Sequence, residues 1–329
     1  MKKLINKLYD VEREMIEGLV KAAPEKLQKL AEGNIVVRAK KKKDHVALVS
    51  GGGSGHEPAH GGYVGTGMLD CAVAGAVFSS PPPDQIYEGI KAVATKNGVL
   101  CIVKNYTGDV LNFEMAIDMA KEEDIKADYV VVNDDVAVKD SLYTTGRRGV
   151  AGTVLVHKIA GAKAEEGASL AEVKAVAENV IKNVRSMGMA ITPCTVPAAG
   201  KPGFTLADDE MEIGIGIHGE PGTHREKLST ANQIAQKLLD TILADIDCSG
   251  KEVILLVNGM GATPLMELYI INNFVQDYLK EKGVKIYDTQ VGNYMTSIEM
   301  AGFSLTLLRL DDEMKRLYEA KADTLAWKK

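Results

Sequence analysis

Residues 45–58 read His-Val-Ala-Leu-Val-Ser-Gly-Gly-Gly-Ser-Gly-His-Glu-Pro, an apolar run followed by glycines and a histidine, His56. The run over residues 45–50 predicts a buried strand, because such strands are continuously apolar and stop at glycine. A second predicted strand, Met211–Ile217, is also followed by a glycine-framed histidine, His218. Two imidazoles at strand ends in distant parts of a chain predict one site assembled from both parts.

Elsewhere in the chain, short apolar runs alternate with longer amphipathic ones. The predicted strands of the first half are Val46–Ser50, Val99–Lys104 and Tyr129–Asn133, and the predicted helices are Asp84–Lys96, Asn112–Glu123 and Gly149–Ala164. In the second half the predicted strands are Glu212–Ile217, Val253–Asn258 and Phe303–Leu310, with helices over about 229–244 and 263–282. Such alternation is typical of an α/β fold.

The predicted α/β fold has two domains, residues 1–185 and 186–329, each a β-sheet covered by helices. The helix Ser169–Met187 is predicted to begin with a capping box, because Ser169 is followed three residues later by Glu172. From Ile191 the sequence becomes rich in Pro, Gly and Thr, which favours a loop and a change of domain. The active site is expected in the cleft at the strand ends.

Composition excludes several classes of protein. The 329 residues carry a formal net charge of −6, with 46% hydrophobic and 26% charged residues. These values indicate a globular protein with a substantial core, and the negative charge argues against a general nucleic-acid binder, which needs a basic surface. The one basic run, Lys40–Lys43, is interpreted as a solvated loop.

The cysteines and the N-terminus favour a cytoplasmic protein. The four cysteines lie far apart without Cys-x-x-Cys spacing, as expected for reduced thiols rather than a disulfide framework or a zinc site. No segment reaches the ~20 apolar residues that a membrane span needs, and glutamates follow the N-terminus too soon for a signal peptide. We therefore expect no membrane contact.

Residues 56–60, His-Glu-Pro-Ala-His, match the zinc-protease pattern H-E-x-x-H. That pattern binds zinc only on a helix, where two histidines four residues apart share one face. Pro58 fits only the first turn of a helix, and Gly61 and Gly62 weaken its far end. No downstream His or Glu is spaced as an obvious third ligand, so no metal site is predicted.

The glycine-rich segment 51–55 after a strand also suggests a phosphate loop, but the known nucleotide fingerprints are missing. His56 stands where G-x-G-x-x-G needs its last glycine, and G-x-x-x-x-G-K-[ST] does not occur. If the chain takes part in phosphoryl transfer, the nucleotide is expected on another protein. Lys104 and Asp109 follow a strand and by themselves fit a surface ion pair, and Asn133-Asp134-Asp135 fits an acidic turn.

Several further motifs change the weight of these observations. They are Lys-Asn-Tyr-Thr-Gly-Asp at 104–109, Asp-Ser-Leu-Tyr-Thr-Thr-Gly-Arg-Arg-Gly at 140–149, Cys-Thr-Val-Pro-Ala-Ala-Gly-Lys-Pro at 194–202, Gly-Ile-His-Gly-Glu-Pro-Gly at 216–222, Gly-Ala-Thr-Pro at 261–264 and Gly-Phe-Ser-Leu-Thr-Leu-Leu at 302–308. Together with the glycine-rich segment they resemble, in order and over essentially the whole chain, the substrate-binding subunit of dihydroxyacetone kinases.

The resemblance implies a covalent site. His218 matches the histidine that binds the ketone carbon of dihydroxyacetone as a hemiaminal, and glycerol, which has no carbonyl, could not form that bond. Gly53 matches a position whose backbone lies close to the ligand, Ser54 and Gly55 match substrate-binding positions beside it, and Lys104 matches a hydrogen-bonding contact. His56 and Asp109 match the acid/base positions, with His56 favoured for removing the proton of the attacking hydroxyl and the division between the two left open. His218, His56 and Asp109 are thus the predicted catalytic residues.

The resemblance also implies partners. The sequence resembles the bacterial multi-subunit form of the kinase. In that form a nucleotide-bearing subunit holds ADP or ATP with Mg²⁺, and a phosphotransferase-system protein recharges the nucleotide. Single-chain relatives carry a nucleotide-binding domain after the portion matched here, whereas this sequence stops at Lys329. We therefore expect no cofactor on this chain, the phosphoryl donor in trans, and a homodimer. The alternative is a non-catalytic, dihydroxyacetone-sensing paralogue that co-activates a transcription regulator.

Overall fold

The computed structural model describes residues 2–42, 44–139 and 145–329, and in them the chain forms two six-stranded mixed sheets covered by helices. This architecture confirms the predicted α/β fold with two covered sheets. Lys43 of the basic run and residues 140–144 of one motif lie outside the described residues.

The first sheet has the order β1-β2-β4-β3-β5-β6. Its strands are β1 Leu27–Lys29, β2 Ile35–Arg38, β3 Ala47–Ser54, β4 Cys71–Val77, β5 Val99–Lys104 and β6 Ala127–Val132. The four strands β4, β3, β5 and β6 are parallel, so their carboxyl ends meet at one edge, where α/β proteins bind ligands. The helices of this half are α1 Val11–Ala22, α2 Pro83–Val93, α3 Thr107–Glu122, α4 Thr153–Glu165 and α5 Leu170–Asn183.

The second sheet has the order β11-β10-β12-β7-β8-β9. Its strands are β7 Val184–Ala190, β8 Glu210–Ile213, β9 His224–Lys227, β10 Glu252–Gly259, β11 Lys285–Gly292 and β12 Gly302–Arg309. The helices are α6 Ala231–Asp245, α7 Leu265–Glu281 and α8 Asp312–Glu319. Within the described ranges, no helix is long and apolar enough to span a bilayer.

Three cores hold the layers together. One joins α2 and α3 to the first sheet, and another joins α6 and α7 to the second sheet. The largest contains residues from both sheets, for example Leu48 of β3 and Leu308 of β12, with Val154 of α4 and Val180 of α5 between them. The two sheets therefore share a middle layer of helices, which fixes the strand ends of one sheet relative to the other.

One predicted helix end is wrong. The predicted helix Ser169–Met187 does have its capping box, but it ends at Asn183, and Val184 begins β7. The reason is tertiary: residues 184–190 pair antiparallel with β12, and this buried ladder outweighs their helical spacing. The predicted domain boundary after residue 185 falls just inside β7, and the division into two domains stays a prediction.

The first glycine-rich segment belongs to β3, which extends beyond the strand end predicted at Ser50. β3 continues through Gly51, Gly52 and Gly53 to Ser54, because these residues keep pairing in parallel with β4. A Cβ on Gly51 would lie 2.4 Å from the Val73 carbonyl oxygen, so glycine lets the two strands stay in register. The strand predicted over Met211–Ile217, by contrast, is longer than the strand in the structure.

That strand, β8, ends at Ile213. The chain then turns at Gly214, whose φ is +75°, a backbone conformation that favours glycine. His218 therefore lies within a loop, five residues beyond the strand end, rather than directly on it.

Candidate active site

The candidate site lies where the carboxyl ends of β3 and β5 meet the loop after β8. His56 follows β3, Lys104 ends β5, and Asp109 lies in the first turn of α3. His218 comes from the second half of the chain, and its ring centroid is 4.7 Å from that of His56, with the ring planes at 73°. The structure thus brings together the two histidines that the sequence predicted in one site.

His56 is a fully buried imidazole with one hydrogen bond. Its Nδ1 lies 2.8 Å from the Thr296 carbonyl oxygen, which can only accept, so Nδ1 carries the proton and Nε2 the lone pair of the neutral ring. Nε2 has no hydrogen-bond partner among the described residues. Burial, with the nearby charges of His218 and Lys104, lowers the pKa of His56 well below its usual value. The ring is therefore held neutral, with a free basic atom.

His218 is bound to a carboxylate instead. Its Nδ1 donates to Glu220 Oε1 at 2.7 Å, and its backbone N–H donates to Glu220 Oε2 at 2.9 Å. Burial favours the neutral acid of Glu220, yet the charge and hydrogen bond of His218 and the charge of Arg148 lower its pKa to about 2. Glu220 is thus ionised at neutral pH. This bond leaves the lone pair of a neutral His218 on Nε2, where it can act as a nucleophile.

The buried Arg148 side chain anchors the loop that carries His218. Arg148 donates from Nη2 to the Gly214 carbonyl at 2.7 Å and from Nε to Asp135 Oδ2 at 2.7 Å. At Gly216, a Cβ would lie 2.0 Å from Glu220 Oε2, so only glycine lets the loop close over the carboxylate. Because Asp135 is buried against Arg148, the prediction that Asn133-Asp134-Asp135 forms an acidic turn is wrong for the two aspartates.

Both of these aspartates are structural and buried. Asp134 accepts hydrogen bonds from the backbone N–H groups of Val150 and Gly152, ahead of α4, at 2.8 and 2.7 Å. Asp135 pairs with Arg148, and burial, opposed by that cation, raises the pKa of Asp135 to about 6. They shape the loops around the site rather than form a surface turn.

Lys104 and Asp109 form a buried ion pair rather than a surface pair. Lys104 Nζ lies 3.3 Å from Asp109 Oδ2, and both side chains are buried, Lys104 completely. A Cβ on Gly52 would lie 2.5 Å from Lys104 Nζ, so the strand needs glycine here to admit the ammonium group. The pair places two hydrogen-bonding groups of opposite charge beside the two imidazoles.

Gly53, Ser54 and Gly55, the substrate-binding residues predicted from the glycine-rich segment, lie directly before His56. Gly53 leaves no room for a side chain, because a Cβ would lie 2.6 Å from the Ser79 amide nitrogen. Gly55 has φ +102°, which favours glycine. The Ser54 hydroxyl donates to the Gly75 carbonyl at 2.7 Å, so its proton is already used within the protein.

Two aromatic rings that sequence reasoning missed complete the site. Phe78 stacks on His56 with a centroid distance of 5.2 Å, and the Tyr106 ring meets His218 edge-on at 4.6 Å. The Tyr106 hydroxyl is buried and has no hydrogen-bond partner in the described part of the chain. Tyr106 lies inside the family motif at residues 104–109, whereas no signal in the sequence marks Phe78.

His60 belongs to a different buried cluster. Its Nδ1 lies 3.0 Å from His157 Nε2, and burial lowers the pKa of His60 well below its usual value. Residues 61–63 form only a short 3₁₀ turn, not the long helix that H-E-x-x-H requires. In residues 2–42, 44–139 and 145–329, no group of three or more His, Cys, Asp or Glu side chains is arranged to hold a metal ion.

Comparisons with known proteins agree on one family. The sequence model described as "Dak1 domain" matches residues 17–326. The chain is 56% identical over 329 residues to the "PTS-dependent dihydroxyacetone kinase 1, dihydroxyacetone-binding subunit DhaK" of Listeria innocua, covering 99% of this chain and 100% of that protein.

Two solved structures share the fold over nearly the whole chain. The "Dihydroxyacetone kinase operon co-activator Dha-DhaQ" is 40% identical with a TM-score of 0.91, covering 95% of this chain and 97% of that one. The dihydroxyacetone kinase from C. freundii, solved with AMP-PNP and Mg²⁺, is 35% identical with a TM-score of 0.93, covering 99% of this chain and 61% of that one.

Proposed function

The chain belongs to the Dak1 domain family, and we propose that it is the dihydroxyacetone-binding subunit of a phosphotransferase-system-dependent dihydroxyacetone kinase. One observation carries this proposal. Two imidazoles with their rings 4.7 Å apart have different hydrogen-bond partners, a carbonyl for His56 and a carboxylate for His218, and lie beside the buried pair of Lys104 and Asp109. That set fits a small polar ketone that is bound covalently and then activated.

His218 performs the covalent step. Its Nε2 lone pair adds to the ketone carbon, the C=O π electrons move to oxygen, and that oxygen takes a proton. The ring in turn releases the Nδ1 proton that it shares with Glu220, so the net change is addition of N–H across C=O with no leaving group. A triol such as glycerol offers no carbonyl carbon, which restricts the site to short ketones and aldehydes.

His56 handles the proton of the phosphoryl-transfer step. As a terminal hydroxyl oxygen of the bound ketone attacks the donor phosphorus, Nε2 of His56 accepts the hydroxyl proton, and the products are dihydroxyacetone phosphate and the dephosphorylated donor. Asp109 is already engaged with Lys104 and orients the substrate. The unpartnered Nε2 favours His56 over Asp109 as the base.

The nucleotide and its Mg²⁺ are assigned to a partner subunit, which a phosphotransferase-system phosphocarrier recharges, and a homodimer of this chain docks that partner. The absence of nucleotide fingerprints from the sequence supports this assignment. The name of the Listeria innocua relative, a dihydroxyacetone-binding subunit, supports it as well. We expect this assembly in the cytoplasm.

The second candidate is a dihydroxyacetone sensor that co-activates transcription, and the 40% identity to an operon co-activator favours it. A sensor needs His218 for binding but no group for proton transfer. His56, Lys104 and Asp109 are all present and buried together, which favours the enzyme.

The deciding experiment is phosphorylation of dihydroxyacetone by this chain with a purified, phosphodonor-loaded nucleotide subunit. We expect dihydroxyacetone phosphate as product, and an adduct on His218 that is detected as a mass shift after reductive trapping. Adduct formation without any phosphorylated product would support the sensor and overturn the enzyme. Absence of both would overturn the proposed ligand, with glycerol as the matched control substrate.

A further inference from the structure

Phe78 contacts both histidines of the site. Its ring lies 5.2 Å from the His56 ring with an interplanar angle of 14°, and 5.2 Å from the His218 ring at 81°. Because the two imidazoles are themselves 4.7 Å apart, the three rings form a closed triangle of contacts. A shift of Phe78 would therefore change the position of both imidazoles at once.

The backbone at Phe78 has a conformation that phenylalanine rarely adopts. Its φ is +59°, in the left-handed region where glycine is usual. The Phe78 N–H donates to the Ser54 carbonyl at 3.0 Å, and Gly53 must lack a Cβ because Phe78 Cα would lie 2.7 Å from it. The unfavourable conformation thus places the ring over the segment that carries His56.

The opposite side of this segment is held in the same way. Ile298 has φ +55°, and its N–H donates to the Gly55 carbonyl at 2.7 Å. A Cβ on Gly55 would lie 2.9 Å from the Phe78 ring and 3.1 Å from the Ile298 side chain. Gly55, directly before His56, is therefore enclosed by two residues with left-handed backbones, one from each half of the chain.

We infer that Phe78 is a positioning residue for the proposed reaction, whose ring fixes the two imidazoles relative to each other and keeps water away from His56. This inference rests on the proposed function. The ring packs against the largest core but is only partly buried, so it lies between the two imidazoles and solvent. Phosphoryl transfer needs such closure, because water competes with the substrate hydroxyl for the phosphoryl group.

The test separates the ring from the backbone. Phe78→Leu keeps apolar volume without a ring, Phe78→Gly also removes the conformational strain, and Phe78→Tyr keeps the ring. Asp124, exposed at the end of α3 with φ +60°, gives the matched control Asp124→Gly, which relieves the same strain away from the site. Steady-state kinetics with the nucleotide subunit, pH–rate profiles and thermal melting are measured for all four variants.

We expect kcat to fall about 100-fold in the leucine and glycine variants alike, since small misplacement of reacting groups costs that much. KM should change less than about threefold, because Lys104, Asp109 and Glu220 are untouched. The acid limb of kcat should move to higher pH as water reaches His56. Phe78→Tyr, which keeps the ring, should recover most of the activity that Phe78→Leu loses, and Asp124→Gly should retain wild-type kinetics.

Two outcomes would overturn the inference. The first is wild-type kcat and pH profile in Phe78→Gly, whether or not Phe78→Leu loses activity. The second is loss of cooperative melting in both ring-free variants, which would make Phe78 a packing residue. Failure of the proposed function is distinguishable, because the wild-type chain would then give no phosphorylated product at all.

Discussion

The His56 segment and the His218 loop hold the same side chain in opposite surroundings. His56 lies just beyond the end of a central strand, fully buried, with a neutral carbonyl as the acceptor of its Nδ1 hydrogen bond. His218 lies in a loop, with 16% of its side chain exposed and a carboxylate on Nδ1. A carbonyl fixes a tautomer without adding charge, whereas a carboxylate also stabilises positive charge that develops on the ring. The surroundings of His56 therefore suit a base, and those of His218 suit a nucleophile.

A second His-x-Glu pair in the same chain shows that this spacing alone does not create the buried carboxylate contact that His218 has. His224 Nε2 lies 3.3 Å from Glu226 Oε2 on β9, and half of the His224 side chain is exposed. At His218 the glutamate is buried, and Arg148 anchors the loop by a hydrogen bond to the Gly214 carbonyl. Burial of the acceptor therefore separates the candidate site from an ordinary surface pair.

The largest expected effect comes from His218→Ala, which removes the nucleophile. We expect the trapped adduct and dihydroxyacetone phosphorylation both to disappear, because the other unpartnered imidazole nitrogen described in the site, Nε2 of His56, has a neutral carbonyl rather than a carboxylate on the far side of its ring. Mass spectrometry after reductive trapping and a coupled kinase assay measure the two losses. His224→Ala is the matched control and should leave both signals unchanged; an undiminished adduct in His218→Ala would refute the assignment of the nucleophile.

His56→Asn should lower phosphoryl transfer by about 10²–10⁴-fold, the usual contribution of a general base. The adduct on His218 should persist, because Glu220 and the His218 loop are unchanged. Single-turnover kinetics, with adduct trapping in parallel, separate the two steps. Equal loss of adduct and of transfer would show that the two histidines do not divide the work as their surroundings indicate.

Glu220→Gln tests the carboxylate itself. The substitution removes a hydrogen bond to a charged group, worth about 1.5–3 kcal/mol, and should slow adduct formation by about 10- to 150-fold. The phosphoryl-transfer step should change less, since His56 keeps its carbonyl partner. Glu226→Gln removes the carboxylate of the exposed pair and serves as the control. The same small effect from both substitutions would contradict the role given to burial.

The α/β fold and the pairing of the two histidines follow from the sequence because apolar runs and glycine-framed motifs are local signals. The capping box of Ser169 and Glu172 was readable for the same reason, and so was β5, whose predicted bounds match the structure. The predicted set of site residues came from family motifs. The structure places those residues together, while their roles stay predictions.

What the sequence did not reveal depends on long-range contacts. Phe78 reaches the site only through an unusual backbone conformation, and β7 is a strand only because β12 pairs with it. Asp135 looked like part of a surface turn because its partner, Arg148, lies thirteen residues away along the chain. Periodicity cannot identify such partners, since it describes neighbours on one element.

The smallest expected effect concerns pH and distinguishes His56 from an ordinary histidine. Its pKa is lowered by burial, so the neutral, basic form persists as pH falls below the usual value of about 6.5. The transfer step, measured from preformed adduct in single turnover, should therefore stay nearly constant between pH 7 and 6. An unperturbed histidine would lose about two-thirds of its neutral form, a roughly threefold drop in rate over the same interval. Such a drop in the wild-type chain, absent from the residual activity of His56→Asn, would show that water reaches His56 during the reaction and that the two histidines differ less than their surroundings imply.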